Sequence, residues 1–261
     1  MLKKINSNEN TFFKNLKKLY QNKSERKKLE QTILDGPHLI KTFMESGGEV
    51  RDFIKDTSIN HDEINQIFDK YPSINIAELS HELFCEISEL KSSTGLMALI
   101  NIPEKKIYKK EAGLHLLIDN VQEPGNLGSI LRSHAAFANR LVFLSKGCCE
   151  LWSPKTLRGS QGIQFFLTCY EDQDLLNLID TFNFPTYSIC KEGPSLYDHK
   201  FQNDVAVIFG NEGQGVGFKL MQKVEKNLSI PMAEKVDSLN VGSAASIVMY
   251  EYARQLQARV T

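Results

Sequence analysis

The sequence contains no apolar run approaching the ~20 residues that a membrane-spanning helix needs. Its first residues, MLKKINSNENTFFKNLKK, lack the apolar core of a secretory signal peptide. Apolar residues make up 41% and charged residues 24% of the 261-residue chain, a composition typical of a soluble globular protein. We therefore expect no membrane partner and a cytoplasmic location.

The sequence is also poor in recognisable metal-binding and dinucleotide-binding patterns. Its five cysteines are an odd number and include no Cys-x-x-Cys pair, so neither a disulfide framework nor a zinc site is indicated. The six histidines show no His-Glu-x-x-His spacing, and no Gly-x-Gly-x-x-Gly string occurs. We expect no metal, and a nucleotide-binding Rossmann enzyme is disfavoured.

Charge is almost balanced over the whole chain but is unevenly distributed. The net charge is −1, yet residues 1–28 hold nine Lys or Arg against two Glu, a net charge of +7. The remainder therefore carries −8. A basic N-terminal arm is an electrostatic footprint for phosphate, although most charge runs are simply solvated helix faces.

Helix and strand patterns alternate along both parts of the chain, which indicates α/β layers. We interpret residues 1–102 as a smaller α/β domain and residues 103–112, which are charged and short of large aliphatics, as a linker. Residues 113–261 form the larger domain. Its apolar strand candidates are separated by helices, which predicts a mostly parallel sheet covered on both faces. The strand candidates of this domain are residues 114–121, 141–144, 165–169, 186–190 and 205–209.

Two stretches of the C-terminal part combine glycine with polar side chains. In residues 123–132, EPGNLGSILR, a Pro-Gly turn precedes a helix that begins near Asn126 and carries Arg132. A glycine-bearing turn before a helix N-terminus can bind an anion. Residues 209–215, FGNEGQG, follow a strand and hold three glycines, so the backbone there can approach a ligand closely. The carboxyl ends of parallel strands are where α/β sheets bind ligands.

A third stretch, residues 228–257, begins with a short apolar run that should be a strand ending at Pro231, because proline has no N–H to donate to a sheet. Ser238 and Asn240 follow a polar loop and are good N-cap residues for the helix that comes next. Apolar residues then recur every three or four positions, on one face of that helix.

In this order and at this spacing, the three stretches resemble the signature motifs of the SpoU family, RNA ribose 2′-O-methyltransferases of the SPOUT superfamily. The resemblance covers residues 114–257, with Glu123, His134 and Gln161 departing from the usual residues. The N-terminal part is more loosely similar to the RNA-binding domain, like ribosomal protein L30, that many of these enzymes carry. Family members bind S-adenosyl-L-methionine in a deep trefoil knot of the C-terminal α/β domain.

The resemblance implies a role for nine positions. The expected cofactor-binding residues are Gly210, Ile230, Met232, Leu239 and Asn240. The expected catalytic residues are Asn126, Arg132, Glu212, Ser238 and Asn240. Arg132 would clamp a phosphate or assist removal of the ribose proton, and the others would orient it and the ribose. The resemblance also implies a homodimer, formed through the C-terminal helix and the helix after the first motif.

Three hypotheses follow for function. The favoured one is an S-adenosylmethionine-dependent 2′-O-methyltransferase acting on ribosomal RNA or, second, on transfer RNA. Another is an RNA-binding protein that kept the fold and lost the chemistry, against which the intact motif residues speak. The last is the Rossmann enzyme already disfavoured. The sequence does not name the target nucleotide.

Overall fold

The computed structural model describes residues 2–88, 90, 92–104, 112–138 and 141–257. They fall into two compact units, one of Met1–Glu104 with Trp152–Phe165, the other of Lys105–Leu151 with Phe166–Thr261. Most of the predicted linker, 103–112, lies outside the described residues. None of the helices within these ranges is long and apolar enough to cross a membrane.

Strands and helices alternate along most of the chain. The strands are Leu2–Ile5 (β1), Gln31–Asp35 (β2), Val50–Asp56 (β3), Asn75–Leu79 (β4), Leu96–Asn101 (β5), Leu114–Ile118 (β6), Leu141–Ser145 (β7), Thr168–Gln173 (β8), Thr186–Ser195 (β9), Val205–Phe209 (β10) and Lys226–Ser229 (β11). The helices are Thr11–Gln21 (α1), Lys23–Leu29 (α2), Pro37–Glu45 (α3), Asp62–Lys70 (α4), His81–Ile87 (α5), Pro124–Phe137 (α6), Pro154–Ser160 (α7), Leu175–Ile179 (α8), Phe218–Lys223 (α9) and Val241–Gln257 (α10).

The N-terminal unit is built on a mixed sheet with the strand order β1-β4-β3-β5-β2. β4 pairs in parallel with β1 and β3, whereas β5 is antiparallel to β2 and β3. Two apolar clusters are buried in this unit, one containing residues of α1 and α5, the other residues of α3 and α4. The α/β class predicted for this part is thus confirmed, but sequence reasoning missed β1 and β2.

Residues 152–165 pack with the N-terminal unit, although the sequence-based boundaries assigned them to the C-terminal domain. The reason is apolar burial: Leu157 of α7 is fully buried in the same cluster as Ile40 and Phe43. The Thr32 hydroxyl donates to the Trp152 carbonyl over 2.7 Å. This short segment therefore belongs physically to the N-terminal unit while lying between β7 and β8 in the sequence.

The C-terminal unit is built on a six-stranded sheet with the order β11-β9-β10-β6-β7-β8. Every strand pair recorded for it is parallel, which confirms the predicted sheet type. The central strands β6 and β10 are buried along their whole length, as their continuous apolar sequences require. The trefoil knot stays a prediction.

Helices α6 and α10 pack against each other where the small residues of α10 lie. A Cβ atom on Gly242 would come within 2.9 Å of the Ser129 hydroxyl and 3.1 Å of Asn240 Oδ1, so a larger residue would have to displace these side chains. Ala245, Met249 and Tyr252 are buried, in agreement with the face predicted from their spacing. Two strand boundaries differ from the prediction: β11 ends at Ser229, two residues before Pro231, and β8 begins at Thr168.

Candidate active site

A cavity of about 620 Å³ lies in the C-terminal unit beside the end of β10. Parts of all three sequence motifs line it, and so does the middle of β9. The predicted positions that line it are Asn126, Gly210, Glu212, Ile230, Met232, Ser238, Leu239 and Asn240. Its volume is in the range typical of small-molecule sites, roughly 300–1,000 Å³.

The loop after β10 is a closed backbone turn. Asn211 and Gly215 exchange two backbone hydrogen bonds, both of 2.9 Å. The Asn211 side chain donates to the Asn120 carbonyl over 2.9 Å and accepts from the backbone N–H groups of Gly213 and Gln214. These contacts fix the loop that presents Glu212 to the cavity.

Gly210 is required by this loop itself. A Cβ atom at position 210 would lie 2.2 Å from the carbonyl carbon of Gly215 and 2.2 Å from the nitrogen of Val216. These are backbone atoms, which cannot rotate away as a flexible side chain can. Glycine was expected in this loop because of the close approach of a ligand, but position 210 has no room for a side chain even without one.

Glu212 is held by three donors, two from the first motif and one from the residue just before it. Its carboxylate accepts from Asn126 Nδ2 and the Glu123 N–H, both over 3.0 Å, and from the Gln122 N–H over 3.2 Å. Burial would raise the pKa of Glu212, but the hydrogen bonds from Asn126 and from backbone N–H groups outweigh it and lower that pKa. The side chain is therefore a fixed, ionised acceptor near neutral pH.

Asn126 and Asn240 connect this carboxylate to the third motif. Asn240 Nδ2 donates to Asn126 Oδ1 over 2.7 Å, while Asn126 Nδ2 donates to Glu212. The Asn240 side-chain oxygen accepts from the backbone N–H groups of Gly242 and Ser243 at the start of α10. The N-cap role predicted for Asn240 is thus seen directly, and one hydrogen-bond chain joins all three motifs.

Arg132 stands apart from the other predicted residues. It lies on α6, is exposed, and is not among the residues that line the cavity. Within the part of the chain that the structure describes, its guanidinium has no hydrogen bond or ion pair. The structure thus brings eight of the nine predicted positions around one cavity and leaves the arginine outside it.

Sequence reasoning missed the residues that β9 and the polar loop contribute. Ile189, Cys190 and Lys191 of β9 line the cavity, and so does Asp237 of the loop before Ser238. Lys191 Nζ lies 3.0 Å from Asp237 Oδ1. The available signal was positional: β9 lies next to β10 in a parallel sheet, so its later residues reach the same edge.

Comparison with known proteins places these features in a family. Residues 113–250 match the model of the SpoU rRNA Methylase family, and residues 10–98 match that of the MRM3-like substrate binding domain. The first match spans the sheet of the C-terminal unit and the cavity residues. The second spans most of the N-terminal unit.

Individual relatives agree with these matches over nearly the full length. The chain is 32% identical to the 23S rRNA (guanosine(2553)-2′-O)-methyltransferase RlmP of Bacillus subtilis, over 95% of this chain and 98% of that protein. It resembles a crystal structure described as an RNA 2′-O ribose methyltransferase, with a TM-score of 0.86, 26% identity, and coverage of 97% and 99% of the two chains. The SpoU methyltransferase AviRb of Streptomyces viridochromogenes, in complex with AdoMet, shares the fold at a TM-score of 0.86 and 23% identity, with coverage of 95% and 99%.

Proposed function

Because this chain belongs to the SpoU rRNA Methylase family, we propose that it transfers a methyl group from S-adenosyl-L-methionine to a ribose 2′-hydroxyl of ribosomal RNA. The observation that carries the proposal is the hydrogen-bond chain Glu212–Asn126–Asn240 beside the cavity. An RNA-binding protein without catalytic activity would not need these three polar residues in fixed contact. The full-length relative RlmP acts on 23S rRNA by its name, so large-subunit rRNA is the first substrate to test.

The cavity fits the cofactor in chemistry as well as in size. Ile230, Met232 and Leu239 give it an apolar wall, and the loop around Gly210 presents backbone groups. Adenine needs a flat apolar slot with backbone donors and acceptors at its edge. We assign Gly210, Ile230, Met232, Leu239 and Asn240 to cofactor binding. When bound, S-adenosylmethionine supplies a methyl group already activated by the sulfonium charge, so no metal is part of the proposal.

In this proposal Arg132 and the residues around the cavity position the RNA. The ribose hydroxyl is a weak nucleophile, and its alignment supplies much of the rate, because oriented groups gain large effective molarities. Arg132 clamps a phosphate next to the reacting ribose through its planar guanidinium. Glu212, Asn126 and Asn240 keep the polar side of the site rigid, and Ser238, which lines the same cavity, orients the ribose.

The N-terminal unit supplies RNA affinity in this proposal. Exposed lysines lie along the basic arm, including Lys18, Lys23 and Lys28. None of these three has an ion-pair partner within the described residues. Arg26, by contrast, is buried and donates to the carbonyls of Leu19 and Tyr20, so it has a structural role. Phosphate contacts from the exposed lysines would make binding fall steeply with salt.

We further propose a homodimer with two-fold symmetry, formed by α6 and α10. Phe137, Ile247 and Tyr250 on these helices are exposed by 37%, 38% and 56%. The rings of Phe137 and Tyr250 meet edge to face at 5.7 Å, so exposed aromatic side chains of the two helices adjoin. In such a dimer Arg132, which does not line its own cavity, serves the site of the second copy. A cytoplasmic location remains a prediction.

Methyl transfer measured on defined RNA tests the function. The purified protein is incubated with S-adenosylmethionine carrying a labelled methyl group and with ribosomal RNA, free or in ribosomal particles, or transfer RNA. We expect label in ribosomal RNA at a ribose 2′-oxygen, mapped by resistance to alkaline cleavage. Label found in transfer RNA alone would indicate that transfer RNA, the second alternative, is the substrate. Cofactor binding without transfer to any RNA would support the non-catalytic alternative.

A further inference from the structure

Three of the described residues that line the cavity carry a charge, namely Lys191, Glu212 and Asp237. Glu212 already accepts from Asn126 and from two backbone N–H groups. Lys191 and Asp237 contact each other over 3.0 Å, and within the described residues neither has another ion-pair or hydrogen-bond partner. Their side chains are 64% and 96% exposed. An ion pair so exposed to water is weak, so a ligand can replace either member.

We propose that Lys191 and Asp237 bind the amino-acid end of S-adenosylmethionine, an inference that rests on the proposed function. That end is a zwitterion, with a carboxylate and an ammonium group on one carbon atom. The Lys191 ammonium complements the carboxylate, and the Asp237 carboxylate complements the ammonium. Exchanging one internal ion pair for two pairs with the ligand leaves no charge without a partner.

The described lining holds no other cation, and its other carboxylate, Glu212, is already held by three donors. Ile230, Met232 and Leu239 suit the adenosine part, because they are apolar. Asn126 and Asn240 are already engaged with each other. Placing a zwitterion against an apolar wall without partners would cost much of its hydration free energy. The pair thus makes the cavity selective for a nucleoside that carries an amino acid.

Binding calorimetry with two adenosine thioethers tests this selectivity. S-adenosylhomocysteine keeps the amino-acid end, and methylthioadenosine lacks it, while neither carries the sulfonium charge. The wild-type protein should bind S-adenosylhomocysteine more tightly. Lys191→Met should weaken that binding by about fivefold, the upper range for an exposed ion pair, and leave methylthioadenosine affinity unchanged.

A third ligand tests separately whether Asp237 binds the ammonium group and Lys191 the carboxylate. The aminopropyl thioether of adenosine keeps the ammonium group and lacks the carboxylate. Asp237→Asn should weaken its binding by about the same factor. Lys191→Met should leave its affinity unchanged or raise it, because Asp237 is then no longer engaged by the lysine. The opposite pattern would overturn the assignment of the two residues to the two charges.

Matched controls lie in the same exposed segment. Lys235 and Glu234 are exposed and do not line the cavity, so Lys235→Met and Glu234→Gln make the same charge changes outside it. The inference fails if Lys191→Met weakens S-adenosylhomocysteine no more than Lys235→Met does, or if it weakens methylthioadenosine equally. In both cases binding by the wild type would still support the proposed function. A wild-type protein that binds no S-adenosylhomocysteine would overturn the proposed function and this inference with it.

Discussion

Asn240 donates from its side-chain nitrogen to the side-chain oxygen of Asn126 over 2.7 Å. The same Asn126 side chain donates to Glu212, so it acts as acceptor and donor at once. An amide can do both, whereas a carboxylate only accepts. This requirement distinguishes asparagine at position 126 from the nearly isosteric aspartate.

Asn126→Asp should therefore reduce methyl transfer strongly while costing little stability. The new carboxylate would face that of Glu212, and the resulting shift of the site should lower kcat by about 100-fold. Loss of exposed hydrogen bonds should lower the free energy of unfolding by only about 1 kcal/mol. Asn177→Asp is the control, because Asn177 also donates to a carboxylate, that of Asp174, away from the cavity. An equal loss of activity in the control would argue against the special position of Asn126.

Gly210→Ala should destabilise the loop after β10. The added Cβ atom meets the backbone of Gly215 and Val216 at 2.2 Å, so the loop must open, at a cost of about 1–3 kcal/mol. Binding of S-adenosylhomocysteine should weaken with it. Gly213→Ala in the same loop is the control, since its Cβ would meet only Asn211 Oδ1, at 3.6 Å. Denaturant unfolding and calorimetry of both variants check this prediction.

His134 should make stability depend on pH in the acid range. The residue is fully buried on α6, and burial lowers its pKa from 6.5 to about 3. Below pH 6.5 the His134 side chain becomes protonated in the unfolded chain, whereas in the folded protein it stays neutral until about pH 3. Stability should thus fall as pH falls through this window, by up to about 1.4 kcal/mol per pH unit.

Replacing His134 by leucine should remove that contribution. Denaturant unfolding between pH 4 and 7 should give a flatter profile for His134→Leu than for the wild type. His38→Leu is the control, because His38 is exposed. A wild-type slope that survives in His134→Leu would assign the pH dependence to other groups.

Arg132→Ala should abolish methyl transfer without loss of folding or cofactor affinity, because the side chain is exposed and lies outside the cavity lining. Removing one charged group that acts on the reacting centre typically costs about 100- to 1,000-fold in rate. Arg132→Lys should restore little of the activity, because lysine lacks the planar fork that holds a phosphate in register.

Mixing two inactive variants tests whether Arg132 serves the second copy. Ala244→Phe should block the cavity, which Ala244 lines, and Ser243→Phe is its exposed neighbour and control. Mixed dimers of Arg132→Ala and Ala244→Phe have one intact site if the arginine acts across the dimer. Random mixing should then restore about a quarter of wild-type activity. No recovery, with mixed dimers seen by native mass spectrometry, would mean that Arg132 acts within its own chain.

Lys18, Lys23 and Lys28 should supply part of the salt-dependent RNA affinity. Changing all three to glutamine should weaken RNA binding at low salt and reduce the slope of log affinity against log salt by roughly 2. S-adenosylhomocysteine binding should not change. The control changes Lys146, Lys219 and Lys235, which are also exposed, to glutamine. An equal loss in both triple variants would indicate that only net charge matters.

Sequence reasoning predicted those parts of the fold that carry a local signal. β6 and β10 are continuous apolar runs, and their burial follows from that pattern. β1 has the sequence LKKI with three of its four residues exposed, so neither length nor alternation marks it as a strand. β2 lies directly between a helical sequence pattern and a Gly-Pro helix start, so no residue pattern marks where this strand begins or ends.

The same distinction between local and long-range signals applies to the site. The motifs indicated which polar and glycine residues surround the cavity, because spacing and residue type are local. The acceptor role of Glu212 toward the backbone of Gln122 and Glu123 depends on residues about 90 positions apart, which no local pattern shows. Lys191 belongs to no motif, and the neighbouring position of β9 and β10 brings it to the cavity. Asp237 lies within the third stretch, but no spacing or residue type marked it as a lining residue.

Neither compact unit is one continuous stretch of the chain. Because residues 152–165 belong to the N-terminal unit, the polypeptide passes from one unit to the other three times. A single cut after residue 104 would leave Leu157 and its apolar neighbours attached to the wrong fragment. Exchange of N-terminal units between related enzymes, in the laboratory or in evolution, must therefore transfer two segments together, and a one-piece chimera would expose apolar surface on both halves.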